Sequence, residues 1–388
     1  MIIERIELHH FRNYDSLVLY PHEGVNIFFG QNGSGKTNLL EAVHYCSLGK
    51  SHRISQDVNA VTMGEEGASC RMTVRSRFGR KEIEVRLRPG EENVKSVLVD
   101  QKKIPRLSEM MGVLRCVIFS PEDLELIKGG PQIRRRFLDM MISQISRSYF
   151  VALQQYRAAM NHRNAILRQA RMDEKMPDSM IEDFEAAMAE YAEEIFRERE
   201  KYCKMLSDTG NKIYRQISGK EEENFQISSR SSVKWNGTGE FPLKKILQEN
   251  REEDLKQGLT SAGPQRDDLS LFLNQKSMKL YASQGQMRTA ALSMKLSQMK
   301  IFTQITGDQP VLLLDDVMSE LDLQRRMNLL QIMDGVQTFI TCSDEGDLAE
   351  YQNHRTMQVS SSEGRAVLIQ KKAGPEKETA QLKEPVFD

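Results

Sequence analysis

Cysteine is scarce and unpaired in this chain: five in 388 residues, Cys46, Cys70, Cys116, Cys203 and Cys342, with no C-x-x-C among them. That spacing excludes a zinc ribbon and a disulfide framework and suits a reducing compartment. Long apolar runs are also missing, and no stretch approaches the roughly 18 residues a membrane helix needs. The N-terminal "MIIERIELHHFRNY" carries charge by its fourth residue and has no apolar core, so it does not read as a signal peptide. The expectation is a cytoplasmic protein with no membrane partner. Net charge is nearly absent too, with 54 Lys and Arg against 55 Asp and Glu. Any grip on nucleic acid must therefore come from a local basic face, not from the chain's overall charge. Glycine and proline thin out between 131 and 218, where only Pro131, Pro177 and Gly210 occur.

That last absence marks a helical region, read as a long hairpin broken at Pro177. Sheet signals flank it. "IIERIEL", "SLVLY" and "VNIFF" precede a helix "KTNLLEAVHYCSL", and residues 69–100 read as a polar meander. "LRCVIFS" is a buried-strand candidate. After the hairpin come "NFQISS", "DDLSLFLN", a long helix from near Ser283, "PVLLLDD" and "VQTFIT". The tail from 371 to 388 is polar and proline-bearing, and reads as disordered, with "QLKEPVFD" as a possible partner peptide.

"GQNGSGKT", from Gly30 through Gln31, Asn32, Gly33, Ser34, Gly35 and Lys36 to Thr37, matches G-x-x-x-x-G-K-[ST] between a strand and a helix. Its glycines let backbone N–H groups point at phosphate oxygens, and the helix N-terminus adds partial positive charge. Lys36 reaches the β- and γ-phosphates and Thr37 is a Mg²⁺ ligand, with Asn38 beside them. "VLLLDD" supplies the second half: Asp315 for Mg²⁺ through water, and Asp316 to orient or deprotonate the attacking water. ATP and Mg²⁺ are the expected cofactors.

Two further motifs remain. "SQGQ" (Ser283, Gln284, Gly285, Gln286) precedes a helix, and "SELD" (Ser319, Glu320, Leu321, Asp322) follows Asp316. Together, in this order, they resemble the signature and D-loop of ABC-type ATPases. In that class the signature faces the P-loop of a second subunit. One of each per chain implies a head-to-tail homodimer with two composite sites.

The resemblance then narrows. "LHHFRNYDSLVL", "GQNGSGKTNLLEAVHYCSLGKSHR", "FSPEDLELIKGGPQIRRRFLD", "TSAGPQRDDLSLFLN", "YASQGQMRTAALSMKLSQ" and "LLLDDVMSELD" run in order from residue 1 to about 345. They resemble the RecF family of bacterial recombination mediators, which are ABC-type and SMC-like. The resemblance implies an α/β ABC-type ATPase head, with a P-loop core sheet, an N-terminal antiparallel meander and a helical second lobe. Its division would be lobe I over 1–120 and 261–370, lobe II over 121–260, and the tail over 371–388. It implies a DNA-binding protein of repair, replication and the SOS response to DNA damage, closing as an ATP-driven dimer on double-stranded DNA near single-strand gaps. Its partners would be RecR and RecO, in loading RecA. Arg12 and Asn13 would sit near the nucleotide.

Three departures stand out. There is no clear Q-loop glutamine, and Ser120 or Glu122 of "FSPEDL" is the stand-in. Cys342 and Ser343 occupy the place of the switch histidine, and Gln265 stands where a histidine is more usual. Candidate phosphate contacts on DNA are Lys50 with Arg53, Lys102 with Lys103, and Arg134, Arg135 and Arg136.

An ABC-transporter ATP-binding subunit is the main alternative. The helical lobe, the "FRNY" block and the missing switch histidine speak against it. The hairpin is too short for an SMC-type tether, and the signature and D-loop argue against a small-molecule kinase. Because Asp316 is one methylene shorter than a glutamate, hydrolysis is expected to be slow. Steady-state turnover should stay below ~1 per second, at the low end of enzyme rates, and a kcat well above that defeats the reading.

Overall fold

The computed structural model describes the chain except residues 52, 55, 174–178, 344–353, 363 and 371–388. The tail peptide and the stretch following Ser343 lie outside the described residues.

Three sheets carry the fold. The first is antiparallel, in the order Tyr14–Leu19, Ile2–Phe11, Ala68–Ser76, Gly79–Leu87, Lys95–Val99, Lys102–Lys103. It contains the expected meander. The second runs Arg365–Gln370, His354–Ser362, Val25–Phe29, Thr338–Cys342, Val311–Asp315, Cys116–Phe119. Its first pair is antiparallel and the rest are parallel. A smaller antiparallel sheet joins Phe225–Arg230, Asp268–Leu273 and Lys276–Ser277.

Four of the parallel strands, Val25–Phe29, Thr338–Cys342, Val311–Asp315 and Cys116–Phe119, are buried along their full length, as expected for a sheet covered on both faces. Side-chain alternation divides their apolar residues between two cores. Val311, Leu313, Phe28 and Phe339 face the meander and the helix Lys36–Leu48. Leu312, Leu314, Ile27 and Ile340 face the helix Gln284–Thr306 and the helical lobe. The two helices that carry the P-loop and the signature thus lie on opposite faces of one sheet.

The helical region departs from a simple hairpin. Its first arm is two helices, Pro131–Ser143 and Arg147–Met172, because Ser146 turns extended and caps the second by accepting from the Tyr149 N–H. The second arm, Met180–Ser218, runs 39 residues to a left-handed Gly219. The strands His354–Ser362 and Arg365–Gln370 were not legible in the sequence reading.

Arg163 holds the lobe together. It is fully buried, donating to Glu185 at 3.1 and 3.2 Å, to Asp254 at 2.7 Å and to the Thr260 hydroxyl at 3.0 Å. This ties both long helices to the segment around 250–260. Removing the cation leaves the buried Asp254 carboxylate without its counter-ion, whereas Glu185 keeps Arg251 at 2.7 Å. Arg163→Ala should therefore lose roughly 3–5 kcal/mol in urea denaturation, and a loss under ~1 kcal/mol would show that the network is solvated.

Candidate nucleotide site and its neighbouring loops

The strand Val25–Phe29 ends in a loop that only glycine can make at its first position. Gly30 has φ +150°, and a Cβ there would sit 2.1 Å from the Val359 carbonyl oxygen. Gly35, at φ +115°, is equally confined by Asn13 and Ala366. Lys36 folds back over the loop, donating to the Gly30 carbonyl at 2.6 Å and the Gln31 carbonyl at 2.9 Å. Burial pushes its pKa down, against the opposing pull of Asp316, Cys342 and Asp315. Gln31, Asn32 and Gly33 are exposed, whereas the buried Ser34 hydroxyl has no hydrogen-bond partner in the chain.

The second half of the site is across the sheet. Asp315 accepts from the Thr37 hydroxyl at 2.8 Å and from the Thr341 hydroxyl at 2.7 Å. Thr341 also accepts from the Asp316 N–H at 2.9 Å, and so orders the whole acidic turn. Asp316 is held at φ +53°, and one of its carboxylate oxygens is buried without a partner. Burial raises the Asp315 pKa, and the two threonine hydroxyls oppose the rise. Glu122 adds to it, which places that exposed carboxylate within electrostatic reach of Asp315. Ser120, the other stand-in, is spent on a capping box with Asp123.

Arg12 and Asn13 meet the loop from the first sheet. Asn13 donates to the Ser34 carbonyl at 3.2 Å and accepts from Asn38 at 2.8 Å. Arg12, itself at φ +59°, clasps Glu41 with two hydrogen bonds at 2.8 and 3.0 Å. Glu41 is fully buried and also accepts from Arg53 at 3.2 Å and from the Ser51 hydroxyl. Arg53 donates in addition to Asn38 at 2.9 Å. Sequence reasoning missed Glu41 and Thr341. The one signal for Glu41 was an acid inside the apolar run "LLEAV".

Ser283 caps the helix Gln284–Thr306 through a capping box with Gln286. Gln286 also donates to Glu223 at 3.0 Å, and Gly285 lies beside Arg325, which pairs with Asp322 at 2.8 Å. Asp322 caps Leu323–Ile332, and Ser319 donates to the Asp316 carbonyl at 3.1 Å. The structure therefore joins the D-loop to the acidic turn, with Leu321 buried between them. None of the contacts described for the signature residues reaches Gly30–Thr37.

Among the candidate DNA contacts, Lys50, Arg53, Lys102, Lys103 and Arg136 are exposed and Arg135 is half-buried. Arg134 is a correction. It is buried, forms a fork with Asp268 at 2.7 and 3.0 Å, and donates to the Gly129 carbonyl at 2.8 Å. A guanidinium so engaged pins two segments and presents nothing to solvent. Gln265 is likewise engaged, accepting from Tyr156 and donating to the Ala262 carbonyl at 2.8 Å.

A carboxylic acid whose pKa rises on folding stabilises the fold below its unfolded value, ~3.9 for Asp. That contribution is lost as pH rises through the raised folded value. Asp315→Asn removes the titration. Without nucleotide, its stability advantage over the native chain should grow between about pH 4 and about pH 7, as followed by urea denaturation. A difference that stays flat over that range rules out a penalised buried carboxylate.

Comparisons with known proteins bear on the family and the fold. The RecF/RecN/SMC N terminal domain family matches residues 2–366. The DNA replication and repair protein RecF of Clostridium botulinum (strain Alaska E43 / Type E3) is 39% identical over 358 residues, covering 92% of this chain and 97% of its own. That of Clostridium beijerinckii is 38% identical over 366 residues, covering 94% and 98%. A solved structure of the recombination mediator protein RecF with ATP, in the RecFOR pathway, superposes with TM-score 0.86 at 35% identity over 95% of this chain and 97% of that one. An Smc head bound to the C-winged helix domain of ScpA, at 15% identity and TM-score 0.57, shares the fold alone. Among the described residues no helix is long and apolar enough to cross a membrane. With a family match across nearly the whole chain and relatives near 39% identity end to end, the chain belongs to the RecF family of DNA replication and repair proteins, within the wider RecF/RecN/SMC group.

Proposed function

We propose that this chain is an ATP-gated DNA clamp of recombinational repair. ATP binds at Gly30–Thr37 with Asn38, Arg12 and Asn13 alongside, and two chains then associate head to tail. Each offers Ser283–Gln286 to the other's nucleotide, with Ser319–Asp322 at the same boundary. The closed pair sits on duplex DNA beside a single-strand gap and acts with RecR and RecO in loading RecA. Slow hydrolysis, through Lys36, Asp315 and Asp316, resets it.

The observation that carries this reading is the state of Ser283. Its hydroxyl accepts from the Gln286 N–H, so its proton stays available, and the side chain is exposed at a helix N-terminus. None of the hydrogen bonds described for Ser283 reaches Gly30–Thr37 of its own chain.

Mg²⁺ fits the same site. Thr37 and Asp315 present hard oxygen donors, and the buried Asp316 oxygen lacks a partner. Among the described residues no three His, Cys, Asp or Glu side chains form a cage, so the ion would draw its remaining ligands from phosphates and water. Bound there, Mg²⁺ neutralises phosphate charge. Lys36 holds the phosphates, and Thr341 keeps Asp315 oriented. Glu122 is the better candidate for the Q-loop role, since it is exposed and Ser120 is buried. The DNA grip is assigned to Lys50, Arg53, Lys102, Lys103, Arg135 and Arg136, all acting on phosphates.

Ser283→Arg is the test. Sizing and gapped-duplex binding, with and without ATP, should show loss of both dimer and DNA affinity while ATP binding persists. A variant that dimerises like the native chain refutes a signature acting in trans. DNA binding by the native chain should fall steeply with salt, by about 0.9 in log K per log salt for each phosphate contacted, and a flat salt response refutes the phosphate grip.

A further inference from the structure

Two sequence blocks that the nucleotide site leaves unused, "GGPQIRRRFLD" and "TSAGPQRDDL", converge on one cavity of about 580 Å³. They are bolted together in advance. Arg134 is forked to Asp268, and Arg199 reaches from Asp267 at 2.9 Å to Asp139 at 2.8 Å. Burial alone would lower the Arg199 pKa, but Asp139, Tyr149 and Asp267 hold it well above its ordinary value. Tyr156 and Gln265 form one wall, where Gly263 leaves no room for a side chain: a Cβ would sit 2.2 Å from the Tyr156 hydroxyl. Lys50 and Ser51, just past the P-loop helix, form the other wall.

The charge lining this space is one-sided. Its carboxylate, Asp139, is already used by Tyr149, Arg157 and Arg199. Lys50 and Arg136 are exposed, and the hydrogen bond described for Arg136 is a long one, 3.5 Å, to the Ser51 carbonyl. Arg135 donates to the Asp267 carbonyl, a neutral partner, at 2.7 Å. Burial and then the neighbouring Arg199 push its pKa down, against the pull of Asp268, Asp139 and Asp267, and an anion beside it would add to that pull. Between the cations the lining is apolar and adaptable, with Met140, Phe150 and Met160 half-buried. A volume of this size suits a small ligand with a few convergent polar groups.

We propose that this cavity binds a nucleotide unit, its phosphate on Lys50, Arg135 and Arg136 and its base against Met140, Phe150 and Met160. Lys50, Arg135 and Arg136 line the same cavity, which suits one compact dianionic group, whereas an acidic peptide spreads its charge along a backbone. The phosphate could come from a free mononucleotide or from a strand end. The second source rests on the DNA-clamp reading, and the first does not. Ser51 links the cavity to the ATP site, because its hydroxyl reaches Glu41 on the P-loop helix while its carbonyl faces Arg136.

The test uses the full chain with methyl-labelled methionine, its P-loop saturated with a non-hydrolysable ATP analogue. Thymidine 5′-monophosphate, a 5′-phosphorylated oligonucleotide and a poly-glutamate peptide are titrated separately. The Met140 and Met160 methyl resonances should shift with either nucleotide probe. Arg135→Gln and, independently, Phe150→Ala should weaken that binding at least ~10-fold, each with a melting temperature close to native. Tighter binding of the oligonucleotide assigns the site to strand ends, and tighter binding of the monophosphate assigns it to free nucleotide. Either result supports the site. Methyls that stay still with both nucleotide probes, or that answer equally to poly-glutamate, overturn it. Duplex binding is measured in parallel, so a failed clamp with shifting methyls leaves the cavity standing, and the reverse condemns the cavity alone.

Discussion

A buried carboxylate at the end of a parallel strand is the constraint around which this molecule is arranged. Asp315 is taken out of water, which disfavours its charge, and the hydroxyls of Thr37 and Thr341 supply what solvation it keeps. Those hydroxyls come from a helix 278 residues earlier and from the neighbouring strand. The contact can form only if Val25–Phe29, Thr338–Cys342 and Val311–Asp315 are adjacent and parallel, with their carboxyl ends level. Ligand sites in open α/β sheets fall at that edge for the same reason. The meander and the helical lobe are then what covers the two faces.

Much of this was legible locally. The helix "KTNLLEAVHYCSL" appears as Lys36–Leu48, and the capping box at Ser283 starts its helix where the sequence placed it. Such features depend on neighbours a few residues away. What escaped depends on distant ones. The role of Glu41 exists only because Arg12, Arg53 and Ser51 fold onto it. Thr341 reads as one β-branched residue in an apolar strand until Asp315 is placed beside it. His354–Ser362 is a weak strand in isolation, and it is fixed by pairing with Val25–Phe29. Arg134 shows the same limit from the other side. In "RRR" the three arginines look equivalent, yet helical geometry turns one inward to Asp268 and leaves the next two on the rim.

Buried ion networks join segments that are distant in sequence. Arg163, Arg199 and Arg134 each form such a bridge, and each is matched by carboxylates. Such networks add little net stability against an apolar replacement, but a mispaired arrangement strands a charge, so they favour one register over others. At the cavity, Lys50, Arg135 and Arg136 line a space whose carboxylate, Asp139, is already engaged, so an anion would be felt there.

The two helix starts on either face of the sheet support the proposed role of a second copy. At Lys36–Leu48 the loop's polar groups are unfinished: the Ser34 hydroxyl lacks a partner, and Lys36 turns back on carbonyls of its own loop. At Gln284–Thr306 the cap is complete within the chain, and Ser283 still offers its proton outward. One end is short of an anion, the other has donor capacity without one, and they lie on opposite faces of the same sheet. In the proposed head-to-tail pair, two chains related by a two-fold axis would satisfy both ends twice, and that symmetry would close the assembly at two.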